Sequence, residues 1–568
     1  MSEPTRPIHQ PRVDPDGSLV AHTVATPTSF KVRAKLTVGS RKVVPVIFVP
    51  GIMGSNLRVK RKRAPGAGDP LRPGEAAWRP PNGLLDSYKA VSIWSDRSPA
   101  LRQRILDAEL LEVDPDGELA YHGSMLDAQV MRERGWGEVY ADSYGALLVE
   151  LQRRLDKTFQ RSQSGAREIR PAWKRVMETP PERWGVRQIE RITEQELEKY
   201  AGYQYPVYAF GYNWLESCEV SARRLRARID EIRKFWSDRK HECRKVILVT
   251  HSMGGLVARA CARLSEQADA GVTDIAGIIH GVMPALGAPV AYRRIACGTE
   301  GGNYTKHLLD NLDAGGFAEI AGDTPEETTP VMALAPGVLQ LLPNHLYPRP
   351  WLFLKTVHAV NGKDEVRDHV ALPDGNPYDL YRDTVSWYRM IDPGLADPAR
   401  KYAKERGGLL GRIRRHVDEA ERFHTRTLSI DGNKLTPSRP YYHPNTYAFY
   451  GADPALKTYS RIQWVARVPG SSRVALTPRN IRDGRAVETS RDGAREVAIE
   501  KDLRLRFRVS PQDSHGDETV PLPSALGPEL HVRQLFSAGG FRHQDSFKSS
   551  DMLLLTRHLI VKIVQGIP

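Results

Sequence analysis

The stretch Val246–Ala260, "VILVTHSMGGLVARA", runs from four aliphatic residues through a threonine, a histidine and a serine into a glycine pair and a helical pattern. "VILV" is too short for a free-standing helix and reads as a buried parallel strand. Beyond it Leu256, Ala260 and Leu264 recur at helical spacing, and small Ala258 lets that helix pack closely on a sheet. Gly254 and Gly255 open the helix where a Cβ would collide with the strand. Ser252 is thereby left at the apex of a nucleophile elbow, with its hydroxyl at a helix N-terminus. The usual pattern is G-x-S-x-G, and Thr250 replaces its first glycine. A serine so placed attacks an acyl carbon once a base takes its proton.

That chemistry needs two backbone donors for the oxyanion, then an acid and a base that follow the serine in chain order. The amide of Met253 is one candidate donor. The glycine-rich loop "FVPGIMGSN" (Phe48–Asn56) offers the amide of Met53, with Ile52 next. "SPQDSHGDETVPLPSA" holds Asp517 in a compact Gly-Asp turn, and "SAGGFRHQDSF" sets His543 after a strand and a double glycine. His543 would take the serine proton while Asp517 orients the ring and stabilises the imidazolium. Asp453 in "FYGADPAL" also follows a strand and is the alternative acid. Asp513, Glu518 and Asp545 are weaker acids, His515 and His558 weaker bases, and His251 belongs to the turn.

The elements that must carry these residues alternate. "KVVPVIFVPG" (Lys42–Gly51), "PVYAFGYNW" (Pro206–Trp214), the elbow strand and "DIAGIIHGV" (Asp274–Val282) read as strands. "SYGALLVELQRRL" (Ser143–Leu155) and "ESCEVSARRLRARIDEIRKFW" read as helices between them. "TYAFYG" (Thr446–Gly451) and "LHVRQLFS" (Leu530–Ser537) resume the strands, and "SFKSSDMLLLTRHLIVKIV" is a closing helix. The alternation predicts a mostly parallel sheet with helices on both faces. Residues 1–34 are expected to be a flexible tail. Residues 35–285 and 442–568 form one discontinuous catalytic domain with a loop-rich insertion at 58–134, and 286–441 form a cap. Within the cap lies the apolar, proline-punctuated segment Val331–Lys355; its part around Leu339–Leu354 reads either as core packing or as a lid that docks on lipid through Leu339, Leu342 and Trp351.

Composition narrows the partners. The chain has 568 residues, with 82 Lys and Arg against 68 Asp and Glu, for a net charge of +14. This favours anionic partners such as phospholipid headgroups. The basic residues are dispersed in "RVKRKR", "RRLRAR" and "LRLRFRV", without basic-aromatic interleaving, and nucleic-acid binding is not expected. The four cysteines, Cys218, Cys243, Cys261 and Cys297, lack metal-ligand spacing and are expected to be buried thiols. The acidic "GDTPEE" (Gly322–Glu327) reads as a solvated loop, and no metal or cofactor is expected. The N-terminus has no apolar signal region and no stretch is long enough to span a bilayer, so a soluble protein is expected.

"FVPGIMGSNL", "GYNW", "THSMGG", "FYGADPALKTY", "GDETVP" and "HQDSF" together resemble lecithin–cholesterol acyltransferase and related α/β-hydrolase lipases. The resemblance spans about Val43 to Ile563 and implies an α/β-hydrolase fold with cap insertions. It marks Asp517 as the acid, His543 as the base and Met53 as an oxyanion donor, and it puts Asp453 in the preceding strand-end segment. Asn213 in "GYNW" stands where that family often has Asp. "GWGEVYADSYGALLVEL", "PVYAFGYNWLES", "VILVTHSMGGLVARA" and "IIHGVMPALGAPVAYRRI" are similar to lipase effectors of the type VI secretion system. That resemblance implies a phospholipase made in the bacterial cytoplasm, exported by secretion-apparatus components into a rival's periplasm and neutralised by a cognate immunity protein. The alternatives are an acyltransferase or housekeeping lipase on the same triad, a protease or amidase, and a non-catalytic membrane-binding protein on the same fold.

Overall fold

Apolar runs become strands where both faces are covered, and the central sheet follows that rule. Its strands are β1 (Val46–Val49), β2 (Val207–Ala209), β3 (Val246–His251), β4 (Ile275–Gly281), β5 (Thr446–Gly451) and β6 (Gln534–Ala538). They lie in the order β2-β1-β3-β4-β5-β6 with every pairing parallel. This is a computed structural model, and it describes residues 40–62, 70–80, 90, 92–119, 126–162, 166–268, 274–300, 320–430, 438–500 and 503–568. A short strand pair at Arg12–Val13 and Leu19–Val20 is also described, and the tail expected over 1–34 otherwise lies outside the described residues.

Alternate strand residues face opposite layers, as a period of two requires. Ile47, Leu248 and Ile278 pack with helices α2 (Cys218–Asp238) and α3 (Gly254–Ala268). Val46, Phe48, Ile247 and Ile279 pack on the other side with α1 (Ala141–Arg154) and α4 (Ser550–Gln565). α4 is buried almost all round from Met552 to Val564, in keeping with its unbroken apolar sequence. Strand order reverses between β1, whose sequence successor β2 lies on one side, and β3 on the other. In such sheets the crevice beyond the carboxyl ends at this reversal receives ligands. The glycine loop leaves β1 there, and the serine turn leaves β3.

A second six-stranded sheet corrects the expected domain boundaries. Its order is Lys363–Leu372, Leu352–Val360, Ile462–Arg467, Leu503–Val509, Arg495–Glu500 and Arg485–Thr489. Leu352–Val357 pairs in parallel with Ile462–Arg467, so residues from either side of position 441 share one sheet. The segment 286–441 is therefore not a self-contained cap. A strand's own pattern shows which face is buried but not which distant strand it joins. Leu503–Val509 alternates buried and exposed as its sequence predicts. Its Phe507 packs 4.3 Å from Trp387, ring centre to ring centre, and Trp387 packs 5.9 Å from Trp464. β6 starts at Gln534 rather than at Leu530, which is 89% exposed. All four cysteines are buried and free. Among the described residues no helix is long and apolar enough to cross a membrane.

Burial sets the protonation of several core imidazoles. Desolvation holds His251 down at about 3, and His416, His424, His443 and His558 at about 4. It raises Glu138 to about 7 and Asp156 to about 6. The depressed histidines stabilise the fold fully above about pH 6.5 and lose that contribution as the pH falls, because the unfolded chain then binds protons the fold refuses. Glu138 and Asp156 act in the opposite sense but number fewer. Each uncompensated proton contributes about 1.4 kcal/mol per pH unit. The urea midpoint is therefore expected to fall from pH 7 to pH 5; a flat or rising midpoint contradicts this account.

Candidate active site

The site is built where β3 turns into α3. Ser252 has φ of +52°, the left-handed region, and only 3% of its surface is exposed. Its amide donates to the carbonyl of Gly281 at 2.9 Å, which ties the turn to the end of β4. The helix leaves so tightly that a Cβ on Gly254 would stand 2.4 Å from the Pro50 carbonyl oxygen and 2.5 Å from that of Val49. Thr250, in place of the usual glycine, bonds to the imidazole Nδ1 of His280 at 2.8 Å. The departure from the motif thus anchors β3 to β4.

Three side chains far apart in the sequence meet at this turn. His543 Nε2 lies 2.9 Å from Ser252 Oγ, and its Nδ1 lies 2.8 Å from Asp517 Oδ2. The other oxygen of Asp517 accepts the amides of Thr519 at 3.1 Å and Val520 at 2.7 Å. A carboxylate held this way only accepts, so His543 carries its proton on Nδ1 and Nε2 is free to take the serine proton. The amide of His543 donates to the Asp517 carbonyl at 2.9 Å, and Arg542 pairs with Glu518 at 3.0 Å. Two neighbouring residues on one segment thus grip two on the other.

The glycine loop supplies the opposite wall. Met53 sits at φ of +60°, in a turn closed by the Gly54 amide on the Gly51 carbonyl at 3.1 Å. Trp78 donates its indole N–H to the Met53 carbonyl at 2.9 Å, which holds the loop against its neighbour. Among the described residues neither Met53 nor Met253 gives its amide to another backbone carbonyl. The arrangement can pass a serine proton to an imidazole.

Other residues singled out by sequence fall elsewhere. Asp453 does not reach His543; its carboxylate accepts the amides of Ala455 and Gly540, each at 2.9 Å, and so caps the double-glycine loop. Asp513 holds the Ser460 turn, Asp545 pairs with Lys548, His515 is exposed, and His558 contacts the Glu190 carbonyl from inside α4. Asn213 donates to the carbonyls of Ala108 and Leu111, work that an aspartate could not do.

The segment of the expected lid is packed inside the fold. Leu339, Leu342 and Trp351 are at most 1% exposed. Their segment is tied in place by Gln340, which bonds to the Cys218 amide, to Ser217 and to His424. The amide of Asn344 also donates to the Leu286 carbonyl. Detaching it would leave these buried polar groups unsatisfied, and its Gly337 lies against Met253. Sequence reasoning passed over Tyr144, whose hydroxyl reaches His251, although a polar tip on the apolar face of α1 was a signal of a built-in contact.

With this geometry in hand, comparison with known proteins is informative. A family model described as the PGAP1-like alpha/beta domain matches residues 216–309, which include the elbow. Among solved structures, a chain from the crystal structure of the Tle4-Tli4 complex is 30% identical to this one. The match covers 92% of this chain and 98% of that one, at a TM-score of 0.70. The chain belongs to the Tle4 family. Its fold is the lipase-type α/β-hydrolase fold that the motifs predict, with the six parallel strands flanked by helices. Phospholipase PlaB from Legionella pneumophila also matches, at 10% identity over 58% of this chain and 85% of that one, but its TM-score of 0.16 leaves nothing to compare at the site. No match is found among the curated proteins.

For this member of the Tle4 family, Gly254→Ala tests the turn directly. The added methyl would meet backbone oxygens that cannot rotate away. The expected loss is about 1–3 kcal/mol in chemical denaturation; unchanged stability would mean that the close approach is not required.

Proposed function

We propose that this chain is a serine esterase that hydrolyses acyl esters of membrane glycerophospholipids. The observation that carries the reading is the continuous path from Asp517 through His543 to Ser252 at a left-handed turn. In the proposed reaction, Ser252 Oγ attacks the acyl carbonyl as His543 Nε2 takes its proton. The amides of Met53 and Met253 receive the oxyanion. Asp517 stabilises the imidazolium, which then protonates the departing lysolipid alcohol. Water activated by His543 resolves the acyl-enzyme and releases the fatty acid.

The substrate class is supported by membership of the Tle4 family and by the +14 net charge, which draws the protein to anionic bilayers. The sequence motifs similar to type VI lipase effectors support export from the producing cell to the periplasm of a rival. The relative was crystallised as a Tle4-Tli4 complex, and this supports a cognate immunity protein for the present chain.

Ser252→Ala is expected to abolish fatty-acid release from phospholipid vesicles while leaving the far-UV spectrum unchanged. A fluorophosphonate probe should label the wild type and not this variant; retained turnover removes Ser252 from the mechanism. Asp517→Asn is expected to lower turnover by ~10⁴-fold through loss of the correct imidazole tautomer. Asp453→Asn should cost no more than about tenfold, because it touches only the loop that carries the base. Equal losses in the two variants would reopen the assignment of the acid.

A further inference from the structure

The residue before the proposed nucleophile has an imidazole on which two other parts of the site converge. His251 Nε2 lies 2.9 Å from the main-chain carbonyl oxygen of His543. Its Nδ1 lies 3.0 Å from the hydroxyl of Tyr144. That hydroxyl is in turn 3.3 Å from the amide of Gly51 and 3.4 Å from the side-chain amide of Gln544. Gln544 also donates to Ser143 at 2.8 Å. His251 is 1% exposed and Tyr144 fully buried, so water cannot readily replace either partner.

Every bond in this chain has a forced direction. A carbonyl only accepts, so His251 carries its proton on Nε2 and donates it to His543. Nδ1 is then an acceptor and takes the Tyr144 hydroxyl proton. The Tyr144 oxygen is left to accept from Gly51 and Gln544. Reversing the imidazole tautomer would set a lone pair against the His543 carbonyl and a second proton against Tyr144. Burial pushes His251 down to about 3 and Tyr144 up to about 12, so both stay neutral across the working range. The centres of the His251 and His543 rings are 5.0 Å apart, and a neutral neighbour at that range does not oppose formation of the imidazolium.

Resting on the serine-esterase reading above, we propose that His251 is a positioning residue for the reaction: it fixes the main chain that carries the base relative to the loop that carries the oxyanion donor. The base follows Gly539 and Gly540, a stretch with little stiffness of its own. The glycine loop meets the same ring, since a Cβ on Gly51 would stand 2.7 Å from His251 Nδ1 and 3.0 Å from Ser252 Cβ. One side chain therefore sets the separation between proton acceptor and oxyanion donors, which must hold to a fraction of an ångström as charge moves.

The test measures kcat and KM on a soluble nitrophenyl ester, the rate of fluorophosphonate labelling and thermal stability. The variants are His251→Phe, His251→Gln, Tyr144→Phe and the double Phe variant. His251→Phe should lower kcat and the labelling rate by ~10²-fold with KM changed less than about threefold. His251→Gln keeps an N–H toward the His543 carbonyl and should recover most of that loss. Tyr144→Phe removes the hydroxyl that holds His251 Nδ1 and should cost about tenfold, and the double variant should be no slower than His251→Phe alone. A wild-type kcat in either folded single Phe variant overturns the proposal, even if melting temperature falls. If His251→Phe does not fold, Tyr144→Phe and His251→Gln decide, and equal kcat in all folded variants is again fatal. A wild type that neither turns over ester nor labels defeats the esterase reading instead.

Discussion

A serine in the left-handed region carries about 1–2 kcal/mol of backbone strain, and the surrounding packing must hold it there. At Ser252 that packing comes from both sides. α3 presses its first glycine against the carbonyls at the end of β1, and β4 accepts the serine amide through Gly281. Relaxing the turn would move α3 into β1 or strand the amide. The strain is thus set by the sheet, and the hydroxyl stands at the crevice where the strand order reverses.

The central sheet and the meeting of Ser252, Asp517 and His543 were legible because each rests on local chemistry. Aliphatic runs ended by glycines mark strands with turns at their carboxyl ends. A Gly-Asp turn and a double-glycine loop mark the two later segments. The second sheet was not legible, since Ile462–Arg467 shows alternation but nothing in it points to Leu352–Val360 as its neighbour. The apolar segment around Leu339–Leu354 was open for a related reason. An apolar segment broken by prolines reads alike whether it covers lipid or fills a core, and Gln340, which ties it to its neighbours here, is a single polar residue within it.

Asp453 and Asp517 show how far residue type alone carries an argument. Both are aspartates just beyond strands, and they form hydrogen bonds of similar length to backbone amides. What separates them is that the Asp517 segment also takes the His543 amide and pairs Glu518 with Arg542, while Asp453 caps Gly540, ahead of His543. The loop that carries His543 is therefore restrained at its stem, at its tip and, through His251, from beneath. Such over-determination suits a loop that begins with two glycines.

The serine and the imidazole are 291 positions apart, with the imidazole near the carboxyl end. During synthesis the elbow is therefore complete long before its partner exists. Any product cut short ahead of residue 543, whether by stalled translation or by proteolysis, lacks the imidazole that meets the Ser252 hydroxyl. Chain order alone therefore puts the contact between Ser252 and His543 among the last that synthesis can complete.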